Sequence, residues 1–235
     1  MSLRFIKEKV LQEIVKALLN TAAAAQIAAD EKTERNVIDP FAALFQMAGF
    51  EMPHETWIQF EQMRQAEKTL QNSVGRFHQR VLGSMPGWED LGTGAVVDLV
   101  NHERKILAEV KNKHNTVSGG KLADVYQDLE KLIMPKTSRY FGYTSYFVTI
   151  IPRKPERMDR PFIPSDRSRG EKCAQNAKIR EMDGASFYDL VTGESGALRA
   201  LYEELPDVIS TCKQGTYKVP SREKLLAYFS AAFGK

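Results

Sequence analysis

The sequence predicts an α/β fold, a central mixed β-sheet flanked by helices, with a helical N-terminal region. Three observations predict it. Ala95–Asn115, AVVDLVNHERKILAEVKNKHN, has the alternation of two short strands joined by a polar turn. Tyr143–Ile151, YTSYFVTII, gathers β-branched and aromatic residues as a central strand does. The stretches before, between and after these two carry apolar residues at helical spacing.

In chain order, residues 3–19 place Ile6, Val10, Leu11, Ile14, Val15 and Leu18 on one face of a helix whose back is charged. The alanine-rich run from Ala22 to Ala29 continues it. Asp39-Pro40 supplies an N-cap and a first-turn proline for a short helix ending near Gly49. Glu55 to about Leu82 reads as a long helix with Trp57, Phe60, Met63, Leu70, Val74, Phe77 and Val81 inward. Pro86-Gly87-Trp88 through Gly92-Thr93-Gly94 is a turn-rich lead-in to the ribbon. Beyond the ribbon, Lys121–Ile133 is an amphipathic helix, with Leu122, Val125, Tyr126, Leu129, Leu132 and Ile133 as its core stripe.

Pro152–Gly170 holds four prolines and the basic run Arg153, Lys154, Arg157, Arg160, Arg167 and Arg169, a composition that predicts irregular structure. Lys178–Met182 reads as a further strand, and short helices follow over Phe187–Val191 and Ala197–Leu205. Ser221 caps a last helix carrying Leu225, Leu226, Phe229 and Phe233. We expect one domain over 1–235, mainly helical over 1–85 and carrying the sheet over 86–235.

The ribbon is where chemistry concentrates. Side chains alternate on a strand, so Glu109 and Lys111 share one face while Ala108 and Val110 take the other. Asp98 joins them only if paired residues have an odd index sum. A two-residue loop at His102–Glu103 satisfies this with Asp98 a diagonal neighbour, and a four-residue loop over His102–Lys105 places Asp98 opposite Glu109. Two facing carboxylates repel unless a cation or a proton lies between them. Mg²⁺ takes one or two carboxylates and keeps waters and substrate phosphate oxygens. A lysine two positions beyond the second acid reaches the same volume, to orient water or neutralise developing charge. The plain alternative is a solvated cross-strand charge pattern. Against it, these charges sit in an otherwise apolar ribbon, Ala95, Val96, Val97, Leu99, Val100, Ile106 and Leu107.

Asp98, ten residues, then Glu109-Val110-Lys111 resembles the D…(D/E)-x-K motif of the PD-(D/E)xK nucleases, with Val97 in place of the proline that often precedes the aspartate. The run EVKNKHNT, the Gly-Gly after it and the upstream FHQRVLG resemble the bacterial Type II restriction endonucleases that cut GGNCC-type sites, over most of the chain. The resemblance implies a restriction-endonuclease-like core, Mg²⁺-dependent cleavage of double-stranded DNA at a short near-palindromic site, and a homodimer. It implies too a companion DNA methyltransferase protecting the same site. Asp98 and Glu109 would hold the metal and Lys111 would act on the attacking water. Such nucleases often draw a further acid or amide from the preceding long helix, where Glu67, Asn72, His78 and Gln79 are available; Glu67 and Gln79 are the candidates to reach the metal or to support the residues that hold it. Lys113, Asn115 and Thr116 leave the second strand at the mouth of the site, and Arg153, Arg157 and Arg160 open the basic run. These are the candidate DNA contacts, since arginine forks suit phosphates and the guanine edge. The alternatives are a repair or structure-specific nuclease without strict sequence choice, and an inactive DNA-binding relative.

Composition agrees without deciding. A net charge of +3 demands no nucleic-acid partner, but Pro152–Arg180 holds nine Lys or Arg against four Asp or Glu. Two isolated cysteines suggest neither a disulfide framework nor a zinc site, which fits a reducing cytoplasm, and the resemblance implies that of a bacterium. There is no apolar run of membrane-spanning length, no P-loop, no Gly-x-Ser-x-Gly elbow and no standard DNA-reading motif.

Overall fold

The structure, a computed structural model, describes residues 3–33 and 37–234. Seven helices, α1 (Glu8–Thr33), α2 (Pro40–Gly49), α3 (His54–Gly83), α4 (Leu122–Ile133), α5 (Gly184–Thr192), α6 (Ala197–Cys212) and α7 (Arg222–Phe233), accompany eight strands among the described residues. The strands are β1 (Glu89–Asp90), β2 (Leu99–Asn101), β3 (Ile106–Lys113), β4 (Thr144–Ile151), β5 (Asp159–Pro161), β6 (Ser165–Asp166), β7 (Glu171–Lys172) and β8 (Ile179–Asp183). The chain divides into two compact units, Val15–Phe77 and the remainder. No helix among the described residues is long and apolar enough to cross a membrane.

Within Val15–Phe77, Asp39 caps α2 by accepting from the N–H groups of Phe41 and Ala42, with Pro40 in the first turn. The Trp57 indole donates to Gln46 at 2.9 Å, joining α3 to α2. Trp57 and Phe77 are buried as the helical spacing predicts, but Phe60 and Met63 are 45% and 60% exposed. They lie on the outward side, while Glu61, held by Arg64 and Gln65, is buried in their place.

In the larger unit a six-stranded mixed sheet runs β1-β2-β3-β4-β8-β5, with β3, β4 and β8 parallel and the other neighbours antiparallel. The α4 stripe seals one face through Tyr126, Leu129 and Ile133 against Leu107, Phe147, Phe162 and Ile179. Phe187 of α5 meets Tyr146 on the other face. Asp183 ends β8 and caps α5, accepting from the Ser186 N–H and hydroxyl.

Three expectations change. The first strand of the ribbon starts at Leu99, leaving Ala95 and Val96 exposed, because Asp98's carboxylate takes the Val110 N–H and ends the regular ladder. The basic segment is not wholly irregular. Its β5 forms the sheet edge, where Pro161's missing N–H costs no interior ladder bond, and the cross-strand pairs Arg160–Glu181 and Arg180–Asp159 hold it. Farther on, β6 and β7 make a hairpin. Finally, α6 runs through Pro206 to Cys212 rather than stopping at Leu205. Pro206 and Val208 are both buried, and that packing offsets the lost backbone bond.

Gly184 is required by close approach. A Cβ on Gly184 would stand 2.5 Å from the Cα and carbonyl oxygen of Ile150, backbone atoms that cannot swing aside. Gly184→Ala is therefore expected to destabilise the protein by about 2–3 kcal/mol, read as a lower urea midpoint. An unchanged midpoint would mean that α5 can move off β4 at no cost.

Candidate active site

β2 and β3 pair as Leu99↔Ala108, Val100↔Leu107 and Asn101↔Ile106. The index sum is odd, and the connecting loop is the four-residue one, His102–Lys105. Asn101 Oδ1 accepts the Arg104 N–H at 2.8 Å and Lys105 takes a positive φ of 53°, which closes the turn at this length. Carried one residue outward, the register sets Asp98 opposite Glu109.

Both groups of Asp98 are tied to β3. Its N–H donates to the Ala108 carbonyl at 3.0 Å, and Oδ2 accepts from the Val110 N–H at 2.7 Å. Glu109 Oε1 is ion-paired with Lys111 Nζ, and their side chains are only 13% and 26% exposed. Burial pushes the Glu109 carboxyl up to about 7; the facing Asp98 adds to the rise and Lys111 pulls the other way. The parallel pairing shows what does the burying. Phe147 of β4 stands beside Glu109, and buried Thr149 beside Lys111. The whole group lies on the sheet face that α4 covers, with Leu107.

The oxygen-rich donor set suits a hard divalent cation. Among the described residues no three His, Cys, Asp or Glu side chains gather as a metal cluster, so an ion here would rest on the two acids and retain water.

The other candidates are distributed as follows. Lys113, Asn115 and Thr116 are exposed where β3 ends; the Thr116 hydroxyl accepts the Lys113 N–H, and the His114 N–H donates to Ile151. Arg153 is exposed just beyond β4, whose end pairs with Lys113, so both loops leave the sheet at the carboxyl ends of its parallel strands. Arg157 is engaged within the protein, with Asp189 at 2.6 Å and the Ser186 hydroxyl at 2.8 Å. Arg160 bonds Glu181 at 2.6 Å. Gln79 is half-buried on α3. Glu67 is exposed in the other unit, where it accepts from Gln71. His78 meets the Tyr188 hydroxyl at 2.8 Å, and burial lowers its pKa to about 4.

The neighbours missed from sequence are Phe147 and Thr149, because a parallel register leaves no local signal. Glu181 also shares the Glu109 face, one strand beyond Phe147.

Residues 3–213 match the model of the Eco47II restriction endonuclease family. The Type II restriction enzyme Eco47II of Escherichia coli is 47% identical over 237 aligned residues, 99% of each chain. The Type II restriction enzyme Sau96I of Staphylococcus aureus is 30% identical over 209, covering 87% of this chain and 78% of the relative.

Glu109 makes stability depend on pH. The folded chain holds a proton up to about 7 that the unfolded chain releases near 4.5. Its contribution is fully present below the lower value and is lost as pH rises through the upper one. Thermal melts in chelator are expected to show Tm falling between about pH 4.5 and about pH 7, with a loss on the order of 3 kcal/mol at most. Glu109→Gln removes that component; an identical pH slope in the variant would place the titration elsewhere.

Proposed function

The chain belongs to the Eco47II restriction endonuclease family and is a Type II restriction endonuclease, and we propose that Asp98, Glu109 and Lys111 are the residues with which it cuts DNA. The observation that carries this is the buried pairing of Glu109 with Lys111 directly across from an Asp98 fastened to the same strand.

Asp98 and Glu109 would hold a divalent cation, which we take to be Mg²⁺; bound there it polarises the phosphoryl group and acidifies a water. The protein's own part is orientation. The Val110 N–H fixes the Asp98 carboxylate, and Phe147 keeps bulk water from Glu109. The low dielectric strengthens what Lys111 does to an attacking water or a developing phosphate charge. Lys113, Asn115, Thr116 and Arg153 contact the duplex at the open end of the sheet. Arg157 and Arg160 add to this only by releasing their carboxylate partners, and Gln79 serves as outer support for the site.

The target is a short near-palindromic GGNCC-like sequence in the bacterial cytoplasm, shielded on the host's own DNA by a companion methyltransferase. Mg²⁺-dependent digestion of a plasmid is expected to give discrete fragments, and sequencing their ends gives site and stagger. Glu109→Ala is expected to lower the cleavage rate by at least about 10³-fold. A smear would remove the sequence specificity, and metal-dependent cutting by Glu109→Ala would remove the site assignment.

Two strands of a near-palindrome call for two active sites related by a two-fold axis, hence a homodimer. We assign its contact to α2. This helix has no charged residue, yet Phe41, Leu44 and Phe45 are 72%, 60% and 72% exposed, and Phe50, Phe60 and Met63 are exposed in the same unit. An uncharged helix also meets its own copy across the axis without like-charge repulsion. Sedimentation is expected to give twice 26.6 kDa, and a Phe41→Ser, Phe45→Ser double variant to give the monomer. A dimer that survives both changes would place the contact elsewhere.

A further inference from the structure

The basic segment splits into two kinds of arginine. Arg157 and Arg160 are held by protein carboxylates that fix the segment to α5 and β8. Arg167 is exposed, has no carboxylate partner among the described residues, and stands in the turn Arg167-Ser168-Arg169-Gly170 between β6 and β7.

That turn is built rather than loose. Asp166, only 5% exposed, accepts from the Ser168 N–H at 2.9 Å and the Ser168 hydroxyl at 2.6 Å, and lies 3.6 Å from the Arg169 guanidinium. Gln127 of α4 donates to its other oxygen at 3.4 Å, so the hairpin base is joined to that helix. Gly170 takes a φ of +70°, the left-handed value that lets four residues close the strand pair.

Its location follows from the topology. β6 packs on α4 and on the 3₁₀ turn Gly119–Lys121 that precedes it. That turn comes just after the Lys113–Thr116 loop, so it lies by the carboxyl end of β3. Since α4 covers the face carrying Glu109 and Lys111, the hairpin shares both the face and the open end of the candidate active site.

We propose that the β6–β7 hairpin is the element that reads sequence, and that Arg167 pairs through its guanidinium fork with a guanine edge in the major groove. A two-stranded ribbon fits that groove, and arginine to guanine O6 and N7 is the commonest specific pairing. The proposal rests on the reading of the chain as a DNA-cutting enzyme. In it, Asp166 and Ser168 are positioning residues, Arg153 and Lys113 make phosphate contacts, and Arg157 and Arg160 hold the segment in shape.

The test uses the full-length protein and a short duplex carrying the site found by sequencing the ends of plasmid fragments. Arg167→Ala is expected to lower kcat/KM on that duplex by roughly 10- to 100-fold. Tm and affinity for an unrelated duplex stay as they were, as does the slope of log K against log salt. Arg167→Lys keeps the charge, loses the fork and is expected to behave like alanine. Unchanged kcat/KM and site choice in Arg167→Ala would overturn the proposal. So would an equal loss on all sequences with a salt slope shallower by about one, the mark of a phosphate contact. A plasmid left intact by the unaltered protein would instead refute the enzyme reading, and this proposal with it.

Discussion

Everything at the site depends on the register of two short strands. Sliding β2 against β3 by one residue would send Asp98 to the opposite face from Glu109 and Lys111. Three local features prevent it. Asn101 closes the turn onto Arg104, Lys105 accepts a left-handed conformation, and the Asp98 carboxylate takes the Val110 N–H. The last has a second effect, because the residue that ends the ladder is also the one brought face to face with Glu109. A side chain that substitutes for a strand's backbone acceptor is pinned as firmly as backbone. The acid is thus placed by the same bond that shortens the strand.

The surroundings turn this placement into electrostatics. Phe147 beside Glu109 and the aromatic core beneath α4 withdraw water from a pair of carboxyls that would otherwise stay ionised. Burial and the facing Asp98 favour a proton on Glu109, and Lys111 opposes them by pairing with the carboxylate. Any ion that settles between the acids must displace that proton, so metal affinity and proton release are linked here. Burial costs the folded protein stability and would give a bound cation an attraction that is weak in open water.

The parts of this that could be read from sequence are those with a local signal. Alternation over Glu109-Val110-Lys111, the Asp39-Pro40 cap and the apolar stripe of α4 each follow from neighbours a few residues apart. Parity reduced the ribbon to two loop lengths but did not choose between them, since a choice needed the Asn101 and Lys105 conformations. Phe147 and Thr149 were invisible because parallel partners about forty residues away follow no counting rule. Phe60 and Met63 fitted the helical pattern of α3 and still face outward, because periodicity marks an apolar stripe without saying what covers it.

The basic segment shows the same limit for charge. Nine cations in a short stretch suggest an anionic partner, yet several are answered by acids that lie far off in sequence: Arg157 by Asp189 and Asp183, Arg160 by Glu181, Arg180 by Asp159. A cation with a structural partner must break one interaction to make another, whereas an unpaired one gives up only water to offer its whole fork to a ligand. Counting charge therefore locates the region, and only the list of who is already paired selects the residue. By that criterion Arg153 and Arg167 stay available where Arg157 and Arg160 do not, and of the two it is Arg167 that a turn organised by a buried aspartate holds out to meet a base.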